Sequence, residues 1–335
     1  MIEKLTQIWK TRDLRNKILF TIGMIVVFRL ISQVSIPGAN LDAIRSIFQQ
    51  NTILGVFSAL TGGSAENFSI LFMGLSPYIN ASIIVQLLTV IIPKLESISK
   101  EGEQGKRTIN KYTRWLTLPL AFLQSYGLII LLNTQSQIPI FSDINDPAVI
   151  IPIMLIVTTG ALLLMWMGEI MTEYGIGNGI SILIFAGIVA GIPQLIGQGL
   201  FVSQGSQEQL IPFVGSILFT IILLVVIVLM TEGQRRIPIT YASHRFQGQG
   251  EKSFIPIRLI QAGMIPIIFA VSLVSLPNLV GQFMARSSEA WMLSVSGFLT
   301  RYFAISSPVY LISYFLLIIA FTYFYVSITF NPKQV

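Results

Sequence analysis

Residues 68–88 read FSILFMGLSPYINASIIVQLL and carry no charge. Gly74 and Pro77 divide this stretch into a short apolar run and a longer apolar segment that extends to residue 92. A helix needs about 20 apolar residues to cross a bilayer, so only the second part is long enough. The stretch therefore predicts a membrane-spanning helix that directly follows an apolar segment too short to span.

The whole chain has the composition of a membrane protein. Of its 335 residues, 53% are hydrophobic and only 11% are charged. A soluble domain is about 25% charged, and a chain this long with so few charges cannot cover a folded surface in water. The composition excludes a soluble enzyme, a disordered protein and a coiled coil, and it leaves a polytopic membrane protein.

Eight apolar segments approach the length of a membrane-spanning helix, which predicts an all-α bundle. Barrel strands would be about 10 residues long and would alternate in polarity, which these segments do not. Arg29 interrupts the first segment and no small-residue cleavage site follows, so this segment is predicted to be a retained span. The predicted spans are 18–36, 74–92, 115–133, 150–168, 179–197, 211–231, 261–280 and 308–330.

The basic residues predict the orientation of these spans. Seventeen of the 21 lysines and arginines fall in the amphipathic arm 1–17, the loops 93–114 and 232–258, and the tail, whereas the alternate loops hold three. Because cytoplasmic loops carry the excess of Lys and Arg, both ends of the chain are predicted to be cytoplasmic.

The sequence contains few of the residues and motifs that form catalytic or metal sites. There is no cysteine, the single histidine is His244, and no HExxH, GxSxG or Walker A motif occurs. The GxGxG at 175–179 follows no strand and contains no lysine, so it predicts a tight turn and not a phosphate loop. We therefore expect no enzyme activity, no catalytic residue, no metal and no cofactor.

A weak repeat relates the second and seventh spans. Both open with Gly-x-x-Pro-x-Ile, at 74–79 and at 263–268. Paired Gly- and Pro-interrupted spans are typical of inverted halves around a central pathway, here a half at 18–197 and a half at 198–335. The same pattern suits a secondary transporter for a small solute, but no acidic residue lies in the middle of a span to couple protons. The apolar half-helix near 52–64 could lie on the membrane surface or fold back into a cavity between spans.

Eight motifs distributed along the chain resemble the SecY family of protein-conducting channels. The family resemblance implies a passive channel in the bacterial cytoplasmic membrane, with eight of an expected ten spans present and pseudo-symmetric inverted halves around a pore. The motifs are IPG at 36–38, the stretch 68–88, EGE at 101–103, YTR at 112–114, MWMGE at 165–169, GIGNGIS at 175–181, GQRRI at 233–237 and QAGMIP at 261–266.

The resemblance also implies what the channel handles and what it assembles with. It implies translocation of unfolded secretory polypeptides across the membrane and lateral release of hydrophobic segments into it. The implied partners are the SecE and SecG subunits, the SecA ATPase, the ribosome, signal sequences, nascent polypeptides and membrane lipid.

Two parts of the pathway follow from the resemblance. An apolar ring at the waist would be formed by Leu75, Ile79, Ile184 and Ile268, because a narrow apolar constriction dewets and blocks ions. The resemblance implies that the half-helix is a plug at about 52–66 that packs under the ring. Of the two alternatives for this half-helix, it therefore favours folding back into a cavity between spans. The plug residues are Ile53, Leu54, Val56, Phe57, Gly62 and Gly63.

A gate and a docking loop complete the expectation. Spans two and seven would line a lateral gate with Asn80, Ser82 and Gln86 on one side, and with Ile260 and Gln261 on the other. Ile260 stands where the family usually has a polar asparagine, so the closed gate would lose a hydrogen-bonding group. The cytoplasmic loop 232–258 would dock partners through Arg235, Arg236 and Arg245, whose guanidinium groups suit phosphate or carboxylate.

Overall fold

A computed structural model of the chain describes most of the predicted spans. Of the predicted site residues, the plug residues 53, 54, 56, 57, 62 and 63, as well as Arg245 and Gln261, lie outside the described residues. The described residues are 10–50, 64–65, 67–135, 140–141, 146–203, 207–239, 253–260, 262–263, 265–285, 289–304 and 307–329.

The described chain is mostly helical. The helices are α1 Arg12–Ile31, α2 Leu41–Gln50, α3 Ser76–Ile91, α4 Pro93–Ser99, α5 Glu103–Gln135, α6 Pro147–Tyr174, α7 Gly179–Ser203, α8 Gln207–Glu232, α9 Ile265–Met284, α10 Ala290–Tyr302 and α11 Pro308–Thr329. Two strands, β1 Gln234–Ile239 and β2 Ser253–Arg258, form an antiparallel ribbon between α8 and α9.

A helix overlaps each of the eight predicted spans, but fewer pass as membrane spans by length and composition. Among the described residues three helices do so, namely α6, residues 211–232 of α8 and residues 308–327 of α11. A fourth is added if α3 and α4, which meet at 107°, count as one broken span. The remaining predicted spans stay predictions.

The first helix is displaced from its predicted bounds. It begins at Arg12 and ends at Ile31, so residues 12–17 of the predicted arm are its first turns. Arg29, predicted to lie inside a span, is in the last turn, where a cation is favoured by the carbonyl end of the helix dipole.

The chain divides into two compact units, Met1–Leu195 and Ile196–Val335. In the first unit α6 is the central helix and packs against α1, α3 and α5. Its glycines allow two further close approaches, because a methyl group at Gly160 would collide with the carbonyl oxygen of Ile70 in the segment 64–73, and one at Gly168 would lie 2.7 Å from Ile180 Cγ1 of α7. Small residues are what allow close approach between membrane helices.

An apolar cap covers the outer part of the first unit in the predicted orientation. It joins α2 and the segment 64–73 to residues 140–141 and to the ends of α5 and α6. The helix α2 was missed from the sequence, although Asn40 Oδ1 accepts a hydrogen bond from Ala43 N at its start and Ile44 and Phe48 are buried on one side.

In the second unit α9 packs against α10 and α11, while α8 has no buried residue along its apolar length. The Phe269 and Phe321 rings of α9 and α11 lie 5.3 Å apart. Ser296 Oγ of α10 donates to the carbonyl oxygen of Gly281 on α9 over 2.7 Å. This hydrogen bond ties the short helix α10 to the end of α9.

The ribbon corrects the expectation of an all-α chain. Each strand contains a proline, Pro238 and Pro256, and proline ordinarily argues against a strand because it cannot donate to the ladder. In a two-stranded ribbon both strands are edges, so a proline nitrogen can face away from the partner strand. The described fold is otherwise mostly helical, as predicted.

Candidate functional site

The segment that leads into α3 is held in place by hydrogen bonds and burial. Ile36 N donates to Phe68 O over 2.9 Å and Ile70 N donates to Val34 O over 3.0 Å. Phe68 is fully buried and has a φ of 42°, a left-handed conformation that is rare for an aromatic residue. The Phe72 and Phe141 rings pack against it. These contacts fix the approach to Leu75, the first predicted ring residue.

The two repeated motifs share a left-handed glycine and a helix start. Gly74 has a φ of 59° and Gly263 a φ of 58°. In each case a helix begins two residues later, at Ser76 or at Ile265, with proline as its second residue. Glycine tolerates the positive φ, and proline suits the first helical turn because the nitrogen there has no carbonyl partner.

Three of the four predicted ring residues meet in one apolar cluster. Leu75 is buried there, and Ile79 of α3 and Ile184 of α7 pack against it half-buried. The cluster also contains Phe28 of α1 and Leu164 of α6. The fourth ring residue, Ile268, is on α9 in the other unit, and its side chain is outside the described part of the chain.

The predicted gate residues of α3 do not share one side of the helix. Ser82 and Gln86 follow Ile79 at spacings of three and four residues, which puts them on the side that carries this ring residue. The buried residues Pro77, Ala81 and Val85 form a different side, and Asn80 lies away from both. Ile260, on the other predicted gate segment, is 37% exposed directly after β2.

The cytoplasmic ends of the first unit's helices are tied together in the predicted orientation. Arg114 Nε of α5 donates to Glu169 Oε1 of α6 over 2.7 Å. Gly177 has a φ of 65°, as the predicted tight turn requires. Thr21 Oγ1 of α1 accepts a hydrogen bond from Ile176 N in this turn over 3.3 Å.

The ribbon places two predicted docking residues on opposite sides. In the observed register Arg236 pairs with Pro256, and Arg235 pairs with Ile257. Since strand residues alternate between two sides, Arg236 shares a side with Phe254 and Arg258, and Arg235 shares a side with Ile237 and Ile257. Arg235 and Arg236 are adjacent in the sequence, which does not indicate that they lie on opposite sides of the ribbon.

The basic side of the ribbon carries an exposed cation–π contact. The Arg236 guanidinium carbon lies 4.9 Å from the centroid of the Phe254 ring, and Arg236, Phe254 and Arg258 are all exposed. A guanidinium that stacks on an aromatic ring keeps its outer N–H groups free for a phosphate or a carboxylate. Arg258 and Phe254 were not predicted as docking residues, because only the register of the ribbon places them on the side of Arg236.

The described architecture defines a class: a helical membrane protein in which a glycine- and proline-broken helix enters an apolar cluster. The sequence model for SecY matches residues 69–335. The chain is 37% identical to the protein translocase subunit SecY of Streptomyces galbus, over 100% of this chain and 78% of the relative. It is 40% identical to that of Mycobacterium leprae, over 97% of this chain and 76% of the relative. The chain belongs to the SecY family.

Solved structures support the same fold. One described as the structure of a protein conducting channel superimposes with a TM-score of 0.57 at 21% identity, over 81% of this chain and 59% of that one. A structure that concerns the plug domain of SecY gives 0.58 at 22%, over 81% and 58%. The superposition thus spans less than two thirds of each solved chain, and identities this low show the fold alone. The comparisons favour the SecY fold over the solute-transporter alternative.

Proposed function

We propose that this chain is the channel subunit of a protein translocase, through which unfolded polypeptides cross the membrane and hydrophobic segments leave sideways into it. Its family membership supports this function. The observation that carries the proposal is the apolar cluster that brings Leu75, Ile79 and Ile184 together where α3 begins. The channel is passive and no residue is proposed as catalytic. A partner motor or a translating ribosome supplies the work.

The waist of the channel is proposed to be an aliphatic ring. Leu75, Ile79 and Ile184 supply part of it, and Ile268 on α9 is proposed as a further member. Aliphatic side chains offer no hydrogen bonds to ions or water, so a constriction that they line dewets when it is empty. The same side chains can mould around a passing chain without holding any one sequence.

The ring is tested by ion conductance of the closed channel in planar bilayers. Ile79→Gly and Ile184→Gly should each raise the conductance, because each removes an apolar side chain from the constriction. Ile84→Gly is the matched control, since Ile84 is on another side of α3 and the change in helix propensity is the same. Unchanged conductance in both ring variants, or an equal rise in the control, would contradict the ring.

The ten-span architecture of two inverted halves is part of the proposal. The shared left-handed glycine and proline-led helix start at Gly74 and Gly263 support it, because inverted repeats place such broken helices in corresponding positions. The basic loops support cytoplasmic ends for this chain in a bacterial inner membrane.

The plug and the gate are part of the same proposal. Within the proposed plug, 52–66, Ser64 and Ala65 are described, and both are buried in the outer cap. The proposed gate between α3 and α9 has Ser82 and Gln86 on the side of α3 that carries Ile79. Polar residues there suit a seam that must open towards lipid.

Docking of SecA or the ribosome is proposed on the side of the ribbon that holds Arg236, Phe254 and Arg258. SecE and SecG are proposed as membrane partners of the same channel. A solved structure of Sec61 in a ribosome–channel complex superimposes with a TM-score of 0.52 at 20% identity, over 81% of this chain and 59% of that one, which supports a related fold.

The docking proposal is tested by comparing two adjacent charge reversals. Arg236→Glu should weaken the binding of SecA or of ribosomes to channel-containing vesicles, and Arg235→Glu, its matched control on the other side, should weaken it less. Membrane insertion of the channel should be normal in both variants. Normal binding in both variants would overturn docking at the ribbon. Equal weakening would overturn its assignment to one side.

A further inference from the structure

The helix α10, Ala290–Tyr302, has three distinct sides, of which one is fixed against the protein. Ser296 is 4% exposed, and its hydroxyl donates to Gly281 O of α9. A methyl group at Gly281 would lie 2.9 Å from Leu299 Cβ and 3.1 Å from Thr300 Cγ2. The close contact and the buried hydrogen bond fix the rotation of α10, and so decide which residues face away.

A second side is an unbroken aromatic and apolar stripe. Trp291, Val295, Phe298 and Tyr302 follow one another at spacings of four, three and four residues and are 59%, 39%, 57% and 42% exposed. The Phe298 and Tyr302 ring centroids are 4.6 Å apart. Such a stripe exposed to water would be an interaction surface.

The third side is small and polar. Ala290, Ser294, Gly297 and Arg301 repeat at the same spacings, and all four are exposed. Arg301 is in the last turn, where the helix dipole favours a cation. Leu293, also exposed, lies at the border between this side and the protein-facing side. A helix with one side on protein, one apolar and one polar suits a boundary between two solvents.

The neighbouring helix α11 indicates whether the stripe of α10 lies in water or in the membrane. Pro308, where α11 begins, is six residues after Tyr302, and α11 passes as a membrane span with only 6% of its apolar window buried. The apolar surface of α11 therefore needs hydrocarbon or other membrane helices around it, which puts α11 in the bilayer, and α10 packs against both α9 and α11. With 13 residues, α10 is about 20 Å long and too short to cross a bilayer. Tryptophan and tyrosine are the residues enriched where hydrocarbon meets headgroups.

We propose that α10 lies in the membrane interface and that phospholipid of the outer leaflet covers the stripe Trp291, Val295, Phe298 and Tyr302. The choice of the outer leaflet rests on the proposed orientation of the channel. Because Ser296 ties α10 to Gly281, an α10 held by lipid also fixes the depth of the outer end of α9.

Quenching of Trp291 fluorescence by brominated phospholipids tests this placement. The full-length protein, in its membrane complex, carries Trp9→Phe, Trp115→Phe and Trp166→Phe, so that Trp291 is the remaining tryptophan of this sequence. Vesicles contain phosphatidylcholine with bromines either near the headgroup or near the bilayer midplane. Trp291 should lose most of its fluorescence with the shallow bromines and much less with the deep ones.

A matched variant reports on the polar side of the same helix. In a Trp291→Phe background, Ser294→Trp should emit at longer wavelength and be quenched weakly by either lipid. No quenching of Trp291, or equal quenching at both positions, would overturn the proposal and indicate a protein or water on the stripe. Stronger quenching by the deep bromines would overturn an interfacial position.

Translocation of a secretory precursor by the same vesicles separates this inference from the channel function. Loss of quenching with translocation retained overturns the placement of α10 alone. Quenching retained in a protein that translocates nothing, with its partners present, supports the placement of α10 and counts against the channel function.

Discussion

The helices α6 and α8 have nearly the same length and both pass as membrane spans, yet their surroundings differ. The apolar window of α6 has a mean hydropathy of 2.5 and is half buried, whereas that of α8 has a mean hydropathy of 3.1 and no buried residue. The more apolar helix is thus the less buried one. Hydropathy reports that a helix avoids water, and it does not report whether protein or lipid covers it.

The surroundings of the glycines also differ between the two helices. At Gly160 and Gly168 of α6, the missing side chains let Ile70 and Ile180 approach closely. At Gly215 of α8 an added methyl group would meet nothing within 4 Å. Lipid tails are as apolar as leucine, so close packing at small residues distinguishes the buried helix from the exposed one better than hydropathy does.

The comparison predicts different changes in stability for the same substitution made in the two helices. Gly160→Ala should destabilise the protein by about 1–3 kcal/mol, because the new methyl group collides with the carbonyl of Ile70. Gly215→Ala should be neutral or stabilising by up to about 1 kcal/mol, because alanine favours the helix and has space there. Thermal unfolding in detergent, followed by loss of the monodisperse peak, measures both changes.

The outcome for Gly215 decides what surrounds α8. If Gly215→Ala destabilised the protein as strongly as Gly160→Ala, another protein segment would have to lie against α8, and the contrast between the helices would fail. A larger pair, Gly160→Leu and Gly215→Leu, keeps the comparison informative if both alanine variants fall within experimental error.

A smaller effect is expected where α6 is joined to α5 by charge. Glu169→Gln removes the ion pair with Arg114, whose side chain is 50% exposed. It should therefore lower stability by at most about 1 kcal/mol. Glu232→Gln, at the exposed end of α8, is the matched control and should leave the unfolding temperature unchanged. The charge swap Arg114→Glu with Glu169→Arg should restore most of the loss. A loss without rescue would mean that Glu169 acts through another contact.

Much of the fold could be predicted from patterns that are local in the sequence. Apolar length located a helix at each of the eight predicted spans, and the two Gly-x-x-Pro-x-Ile motifs indicated two matching backbone turns. The helix α10 was missed because its 13 residues are too few for a span, although its stripe repeats at helical spacing. The ribbon was missed because each strand contains a proline, and proline is excluded from the interior strands of a sheet. A two-stranded ribbon has only edge strands, so this exclusion does not apply to it.

The candidate site was predictable to a similar degree. The family resemblance named Leu75, Ile79 and Ile184, and the structure brings these three into one cluster. It also named Arg235 and Arg236 as a pair, and the ribbon register separates them. A loop prediction has no register, so the side on which each side chain projects could not be known.

The sequence by itself determined that this chain enters a membrane and that its spans are helical. It also determined the family, because these properties depend on composition and on spacing along the chain. Only the tertiary structure decided that α6 is central and α8 is not, that Arg236 joins Phe254 and Arg258, and that α10 has a fixed protein-facing side. Each of these depends on contacts between residues far apart in the chain, and local spacing cannot specify which of many apolar surfaces will meet.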